Sequence, residues 1–509
     1  MALGHVSTAA GAVGFLDARG NHVDPQVALT ERGAALVATR VVSDGSRARA
    51  ISLSSRRGPA ARWTPPRRLA APGARGHRVA LNERRDALVV WSDPMGVRSA
   101  HRRGAAGAWT TRTVPGVAGA HEILAVDLDR AGIARMLLRG PDGYRLTSRV
   151  PPRGEWTRLR DIGIPADAEV ARDGAAFDRG VAIIGWQQSR GLLGVTRVGG
   201  AGSAILANDS LSAPSVAAGR ARAAAAWRGP GGRPGLAYWT AQGGWSVEAA
   251  PGVIAAGSRP RVGVNSRGAA LVQWAADGSP FGGAYRPARA GAWIGTAAAW
   301  GTGFLRRRSV LFADPQAEGL RKRIGLPAGG LTNPASALRV VHADDRGDVL
   351  ALLTAPDQSA FALLRRRGGE TTPWRGAAIA GVGGAQPAVT GNRRGDLVAA
   401  FLSPSEFVDG DLNSAVASFT PTLRVRGPRL AKTRERLSLR LTVPDRGVLR
   451  IRLTTAGGRV VRSRQIGVAR GARVLQITAP KRAGQYQIRV WLRAADGRGY
   501  GARRILSVD

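Results

Sequence analysis

A single phrase recurs along most of this 509-residue chain and limits the folds open to it. The phrase is a short apolar strand, a turn carrying Gly or Asp, and a second strand that often ends in Trp. It is clear in Arg78-Val-Ala-Leu81 followed by Asp86-Ala-Leu-Val-Val-Trp91, after which a third strand and Trp109 follow. Eight copies begin near residues 25, 77, 122, 168, 213, 259, 337 and 387, mostly 45 to 52 residues apart.

Each copy holds about four short strands in which apolar and polar residues alternate, bounded by Gly, Pro and Asp turns. A period near 45 with four strands per unit is typical of a β-propeller blade. Helical solenoids of similar period are disfavoured, since the alternation has period 2 and Gly and Pro interrupt it often. We therefore predict an all-β fold with a β-propeller of eight blades, or seven if one weak copy is not a full sheet.

The regular tryptophans of the repeat are expected to pack between neighbouring sheets, because aromatic side chains bury large areas. The alternative is a binding platform. One set stands at the end of the second strand in four of the copies, and another stands further on in six: Trp91, Trp186, Trp227 and Trp274, then Trp63, Trp109, Trp156, Trp245, Trp293 and Trp374.

The two ends of the repeat region complement each other. The last copy supplies three strands and ends near Ser414-Ala-Val-Ala-Ser-Phe419, whereas the alternating stretch from His5 to Phe15 has no neighbouring strands of its own. We expect the N-terminal strand to complete the last blade and close the propeller over residues 1–419, because closure removes an exposed sheet edge.

The interval between the sixth and seventh copies is about 30 residues longer than the others, which places an insertion near 295–333. Insertions in repeat proteins map to loops, often on the binding face. A decayed blade or a solvated loop is the alternative. The insertion supplies the candidate binding residues: Arg306, Arg307, Arg308, Arg321, Lys322 and Arg323.

The period breaks near Pro421, and residues 420–509 show seven short alternating strands. Seven strands in about 90 residues predict an immunoglobulin-like (Ig-like) β-sandwich, although the Cys…Trp…Cys pattern of antibody domains is missing. This region has 22 Lys+Arg and 4 Asp+Glu, a net +18, and the remaining 419 residues carry +22. The sandwich is therefore several-fold denser in positive charge than the propeller.

The whole chain has 75 Lys+Arg against 35 Asp+Glu, and only three of the basic residues are lysines. A GC-rich codon bias alone would produce arginine in this excess on a solvated surface. The alternative is that the positive surface attracts a polyanion, since a positive field attracts any anionic polymer. The uneven charge favours association of the sandwich with an anionic envelope polymer or glycan, with nucleic acid as the less favoured partner.

The repeated phrase, followed by a small arginine-rich domain, resembles secreted or surface β-propeller proteins of GC-rich soil bacteria, many of them loosely labelled sialidase-like. The closing segment from Ala483 to Arg498 resembles the final strands of bacterial Ig-like modules on exported proteins. The resemblance implies an extracellular or cell-surface location. The Ser-x-Asp-x-Gly-x-x-Trp turns of sialidases are missing: Ser43-Asp-Gly45 does not fit, so no catalytic residue is carried over.

Other chemistry finds little support. Without cysteine there are no disulfides, thiolate metal sites or thiol nucleophiles. No lysine follows glycine as a phosphate loop requires, the six histidines are scattered, and no Gly-x-Ser-x-Gly stands in the chain. Acidic pairs such as Asp127/Asp129, Asp344/Asp345 and Asp409/Asp411 fit tight turns better than catalysis or calcium binding. We assign no catalytic residue, metal ligand or cofactor.

These observations predict a non-catalytic exported or cell-surface protein with a binding or scaffold role. Its basic sandwich would associate with anionic envelope polymers, and we expect a monomer. The alternative function is a glycan-processing, sialidase-like glycoside hydrolase with unrecognised catalytic residues. No stretch approaches the roughly 20 apolar residues of a membrane span. No signal peptide is recognisable in the sequence as given, so either the protein is cytoplasmic or the given sequence starts after its signal peptide. The resemblance to exported proteins favours the second.

Overall fold

The computed structural model describes residues 11–17, 21–42, 48–59, 61–119, 121–151, 154–171, 173–178, 181–199, 202–219, 222–250, 252–257, 259–265, 268–276, 279–286, 293–295, 338–343, 348–354, 360–367, 375–380, 387–392, 395–404, 412–419, 423–444, 446–469, 471–495 and 499–509. The chain divides into two compact units, Met1–Phe419 and Thr420–Asp509. Within the described ranges every regular element is a β-strand, except for one 3-10 turn at Pro230–Gly232.

In its described part, the first unit contains eight antiparallel sheets. The first strand is β1 (Gly11–Asp17). Sheet 1 contains β2 (Asn21–Leu29), β3 (Ala35–Val42), β4 (Ala48–Arg56) and β5 (Arg67–Ala70); sheet 2 contains β6 (Gly76–Leu81), β7 (Ala87–Asp93), β8 (Gly96–Arg102) and β9 (Trp109–Thr113). Sheet 3 contains β10 (Glu122–Leu128), β11 (Ala134–Gly140), β12 (Gly143–Val150), β13 (Glu155–Trp156) and β14 (Arg160–Asp161); sheet 4 contains β15 (Ala175–Asp178), β16 (Val181–Gln187), β17 (Leu193–Val198) and β18 (Ser203–Ala207).

The remaining four sheets follow the same order. Sheet 5 contains β19 (Ser215–Gly219), β20 (Arg222–Arg228), β21 (Pro234–Thr240) and β22 (Gly244–Ala249); sheet 6 contains β23 (Arg261–Val264), β24 (Ala270–Ala276), β25 (Ser279–Arg286) and β26 (Ile294–Gly295). Sheet 7 contains β27 (Leu338–Ala343), β28 (Asp348–Thr354), β29 (Ala360–Arg367) and β30 (Arg375–Ala380); sheet 8 contains β31 (Ala388–Gly391), β32 (Leu397–Pro404), β33 (Leu412–Phe419) and β1.

The eight sheets are arranged in a closed ring. The first strand of each sheet contacts the first strand of the next, from β2 of sheet 1 through to β31 of sheet 8, and β31 in turn contacts β2. Closure involves the N-terminal strand, because β1 pairs antiparallel with β33 from Gly11 opposite Phe419 to Asp17 opposite Ser414. The outermost strand of the last sheet is therefore supplied by the start of the chain. This arrangement is propeller-like.

Buried tryptophans fill the space between sheets. Trp91, Trp186, Trp227 and Trp274 are at most 3% exposed and lie in apolar clusters that join adjacent sheets. Glycine makes room for two of the rings: Gly194 stands opposite Trp186 and Gly235 opposite Trp227, and a Cβ on either glycine would overlap the indole. The described tryptophans at the end of the second strand are thus core residues, as the repeat predicts.

The turn between the first and second strands also links neighbouring sheets. In sheet 2 the side-chain oxygen of Asn82 accepts a hydrogen bond from the backbone N–H of Asp86, and its Nδ2 donates to the backbone oxygen of Asp129 in the matching turn of sheet 3. Asn392 of sheet 8 likewise donates to the backbone oxygen of Thr30 in sheet 1, at 2.9 Å. The recurring polar residue at the start of this turn therefore joins sheets as well as shaping the turn.

The second unit consists of two sheets around one core. A three-stranded sheet contains β34 (Arg424–Arg426), β36 (Arg436–Val443) and β39 (Gly471–Thr478); a five-stranded sheet contains, in spatial order, β35 (Leu430–Ala431), β41 (Gly499–Val508), β40 (Gly484–Ala494), β37 (Gly447–Thr455) and β38 (Val460–Val468). Leu439 of the smaller sheet and Ile451 and Ile488 of the larger one share a buried apolar cluster. The arrangement is a two-sheet sandwich.

The described part of this unit has eight strands where the sequence pattern predicts seven. The additional strand is β35, which pairs in parallel with β41 through only two residues, Leu430 and Ala431. Two residues are too few to produce an alternating pattern in the sequence.

Candidate functional site

The binding residues that the sequence predicts on the insertion lie outside the described residues. They are Arg306, Arg307, Arg308, Arg321, Lys322 and Arg323, all between residues 296 and 337. Their role remains a prediction.

A group of arginines outside the candidate residues predicted from the sequence lies on the outward side of the five-stranded sheet. In β40, every second residue from Tyr486 to Ala494 is buried, so Arg489, Trp491 and Arg493 point away from the core. Outward residues of β37 and β41 stand beside them. The arginine face consists of Arg450 and Arg452 of β37, Arg489, Trp491 and Arg493 of β40, and Arg503 of β41.

Backbone pairing brings three of these arginines into a row across the sheet. Arg452 stands opposite Arg489, and Arg489 stands opposite Arg503. Directly opposed residues have Cβ atoms about 4.5–5.5 Å apart, and like charges placed so are destabilising. Among the outward residues of β37, β40 and β41 there is no carboxylate. The sheet itself therefore leaves this positive charge uncompensated.

Trp491 lies in the middle of the arginine face. It stands between Arg450 and Gly501 on the neighbouring strands. Trp491 is 39% exposed, whereas the buried tryptophans between the sheets of the ring are at most 3% exposed. The guanidinium carbon of Arg452 lies 5.8 Å from the indole centroid, within cation–π distance. An indole surrounded by cations is thus open to solvent.

The signal for this face was present in the sequence as Arg450-x-Arg452 and Arg489-x-Trp491-x-Arg493, each alternating with apolar residues. Alternation identifies one side of a strand but not its neighbours. The pairing of β37 with β40 and of β40 with β41 is what assembles the face.

A buried polar cluster joins sheet 8 to sheet 1 in the first unit. Asp17, at the end of β1, accepts a hydrogen bond from Ser52 Oγ at 2.7 Å and pairs with Arg68 at 3.3 Å. His22 lies beside it, with Nε2 3.7 Å from Asp17 Oδ2 and Nδ1 2.8 Å from Thr39 Oγ1. The order Thr–His–Asp resembles a hydrolytic triad, but Thr39 is 1% exposed and His22 is fully buried. The cluster therefore stabilises the closure of the ring and cannot reach a substrate.

A second polar group joins sheet 1 to sheet 2. Asp24 lies 3.5 Å from Nδ1 of the buried His77 and 3.6 Å from Nε of Arg40. Burial raises the pKa of Asp24, but the adjacent His77 imidazole, with the charges of Arg40 and Arg78, outweighs burial and lowers it to about 2. Asp24 has a backbone φ of 54°, a left-handed conformation that costs energy in a residue other than glycine. These contacts hold the carboxylate between two sheets.

Of the three acidic pairs noted in the sequence, only Asp127/Asp129 lies in the described ranges. Both carboxylates pair with Arg135, at 3.4 and 3.2 Å. Burial raises the pKa of Asp127 to about 6, against the effect of Arg135 and together with that of Asp129. Since Asp127 and Asp129 belong to one sheet and share one arginine, the pair is engaged in an internal ion-pair network.

The described part of the chain contains no group of three His, Asp or Glu side chains placed to hold a metal ion. Its elements also include no helix long and apolar enough to cross a membrane.

The closed ring of eight antiparallel sheets defines the first unit as propeller-like, and comparisons with solved structures add distant likenesses. The chain is similar to YCF48 from Cyanidioschyzon merolae, with 11% identity and a TM-score of 0.40, over 81% of this chain and 99% of that one. It is also similar to an ulvan lyase of polysaccharide lyase family PL25, with 8% identity and a TM-score of 0.39, over 79% of this chain and 94% of that one.

A third similar structure is the lectin of Aleuria aurantia in complex with alpha-methyl-L-fucoside. It has 14% identity and a TM-score of 0.33, over 61% of this chain and 95% of that one. No protein-family model and no curated protein matches the chain. The fold is defined by the strand pairing and by the contacts that close the ring.

Proposed function

We propose that the chain is a non-catalytic, exported or cell-surface binding scaffold. In this proposal the eight sheets are the blades of an eight-bladed propeller, and the C-terminal sandwich is an Ig-like module that associates with an anionic polymer of the cell envelope. The arginine face supports the association, because five arginines share one side of a sheet on which the outward strand positions carry no carboxylate. Arginine forms bidentate hydrogen bonds with carboxylate, sulfate-like and phosphate oxygens.

Electrostatic association of this kind depends strongly on salt. Each neutralised anionic group releases counterions, and the slope of log K against log[salt] is roughly −0.7 to −0.9 per contact for nucleic-acid polyanions. Engagement of all five arginines therefore corresponds to a slope of about −4. Charges that only contribute to a diffuse field would give a shallower dependence.

The test compares two full-length variants that lose the same charge. In the first, Arg450, Arg452, Arg489, Arg493 and Arg503 are replaced by Gln. In the second, five exposed arginines of the ring, Arg75, Arg112, Arg130, Arg158 and Arg190, are replaced by Gln. Binding to heparin and to inorganic polyphosphate is measured from 50 to 300 mM salt, roughly the range over which such contacts are screened.

The proposal expects the first variant to lose most of the affinity and most of the salt slope, and the control variant to lose little of either. Equal losses in the two variants would mean that net charge, not the arginine face, causes binding. Detection of the chain in a culture supernatant tests the exported location. Turnover of a glycan by the purified chain would instead establish the enzymatic alternative.

A further inference from the structure

The position of Trp491 narrows the chemistry of the polymer that the arginine face can bind. We propose that the arginine face binds an acidic polysaccharide, with one sugar ring against Trp491 and the acidic groups of the chain paired with the surrounding arginines. This inference rests on the proposed function, since it assigns a ligand class to the same site.

The first argument is the exposure of the indole. Trp186 and Trp227 in the ring face glycines and are covered by a neighbouring sheet, which leaves each of them 3% exposed. Trp491 also faces a glycine, Gly501, but 39% of it remains exposed. Because position 501 is glycine, no side chain of β41 stands directly beside the indole; a Cβ there would be in ordinary contact with Cδ1 of Trp491, at 3.8 Å. The exposed part of this indole is the apolar platform of the proposal.

The second argument is the spacing of the charges. Arg452, Arg489 and Arg503 succeed one another across three strands, at the interstrand distance of about 4.8 Å. Arg450 stands opposite Trp491 on β37, and Arg493 lies two residues beyond Trp491 on β40. A chain crossing the strands would meet several guanidinium groups in succession while one of its rings rests on the indole.

The third argument is the energetic conflict in the unliganded sheet. Opposed arginines destabilise a sheet, and β-branched or aromatic residues at these positions would favour it. Residues that lower the local stability of a fold are expected at functional sites. A bound carboxylate or sulfate would neutralise the row, so the same residues that weaken the free sheet would stabilise the complex.

The platform also distinguishes a polysaccharide from single-stranded nucleic acid. Proteins that bind single strands without sequence preference stack successive bases on several aromatic side chains. Among the outward residues of β37, β40 and β41, Trp491 is the single aromatic. One platform among five cations fits a polymer in which acidic groups carry most of the affinity and one ring fixes the position.

The experiment uses the full chain and three probes: an oligogalacturonate, in which every ring has a carboxylate; inorganic polyphosphate, which has charge but no ring; and oligo-dT, which has bases. The variants are Trp491→Thr, which removes the platform but suits a strand, and Trp491→Phe, which retains an aromatic ring. Arg489→Thr removes the central cation. Thermal unfolding of each variant is recorded at low salt.

Trp491→Thr is expected to weaken oligogalacturonate binding about tenfold, the order of one lost aromatic stacking contact, and to change polyphosphate binding less than about twofold. Trp491→Phe should retain most of the oligogalacturonate affinity. Arg489→Thr should weaken binding of both probes while raising the unfolding temperature at low salt, because the repulsion in the row is relieved.

Several results would overturn the inference. Equal losses for oligogalacturonate and polyphosphate, or no loss for either, would remove the role of the platform. Oligo-dT binding tighter than oligogalacturonate at equal charge, with the same dependence on Trp491, would assign the site to nucleic acid. If the variant lacking all five arginines of the face still binds polyphosphate as the wild type does, the proposed function itself fails, which separates that failure from the failure of the ligand class.

Discussion

Replacing Asp17 by Ala tests how the ring is held closed. The Asp17 side chain is 2% exposed and connects β1, in the last sheet, to Ser52 and Arg68 of the first sheet. Its removal leaves the buried Ser52 hydroxyl without this acceptor, at a cost of about 1–3 kcal/mol. The Arg68 side chain is 40% exposed, so water replaces much of the lost pair and at most about 1 kcal/mol is added. We expect a total loss of about 1–4 kcal/mol.

The assay is urea unfolding followed by tryptophan fluorescence, together with native-state hydrogen exchange of the amides in β1 and β33. A matched control is Asp93→Ala, because Asp93 is also buried but pairs with Arg98 inside sheet 2, at 2.8 Å. Both variants should unfold at lower urea than the wild type. Only Asp17→Ala should speed exchange in β1 and β33, since local opening depends on the contacts of that region.

Two results would refute this reasoning. Asp17→Ala with wild-type urea unfolding would show that the carboxylate contributes nothing to closure. Equally faster exchange of β1 and β33 in both variants would show that the loss is global and that Asp17 has no special role between the last and first sheets.

Three further sets of substitutions test other contacts of the ring. Asp24→Asn should lower the free energy of unfolding by about 2 kcal/mol at pH 7, because the lowered pKa of Asp24 stabilises the folded state above about pH 4. Urea titrations should show this difference from wild type disappearing as the pH falls to about 2. Gly194→Ala should cost about 1–3 kcal/mol through overlap with a buried indole, whereas Gly76→Ala, with open space around it, should cost under 1 kcal/mol in thermal unfolding, and equal effects would contradict the packing argument. Asn392→Ala and Asn82→Ala remove equivalent side-chain donors to the next sheet and should each cost about 1–3 kcal/mol in urea unfolding; a loss in only one would show that the turns are not equivalent.

Much of the fold could be predicted from the sequence because its signals are local and repeated. Strand alternation, glycine-bearing turns and a period near 45 define four-stranded units without knowledge of any contact. The stretch before Pro25 could be recognised as a strand without local partners, and β1 pairs with β33. In the second unit β36, β37 and β40 alternate strictly enough to be seen, whereas the two-residue β35 does not.

The candidate site was much harder to predict. A run of basic residues on an insertion is conspicuous in the sequence, and it led to a segment that lies outside the described residues. The arginine face is assembled from β37, β40 and β41, of which β37 and β40 are separated along the chain by two other strands, so its existence depends on sheet order and register. The polar cluster around Asp17 is similar: its contact with Ser52 spans 35 residues, and no local pattern marks it.

Because β1 pairs with β33, the ring cannot close until the end of the first unit has been synthesised. A ribosome delivers β1 roughly 400 residues before its partner, which at about 5–20 residues per second is a wait of about 20–80 s. Joining the two strands then closes a chain segment whose entropic cost is about 5 kcal/mol. During that wait the first sheets can form in turn, but the nascent ring keeps unpaired edges on both sides of its gap. Any truncated product that ends before Leu412 would retain those edges and associate with other chains through them.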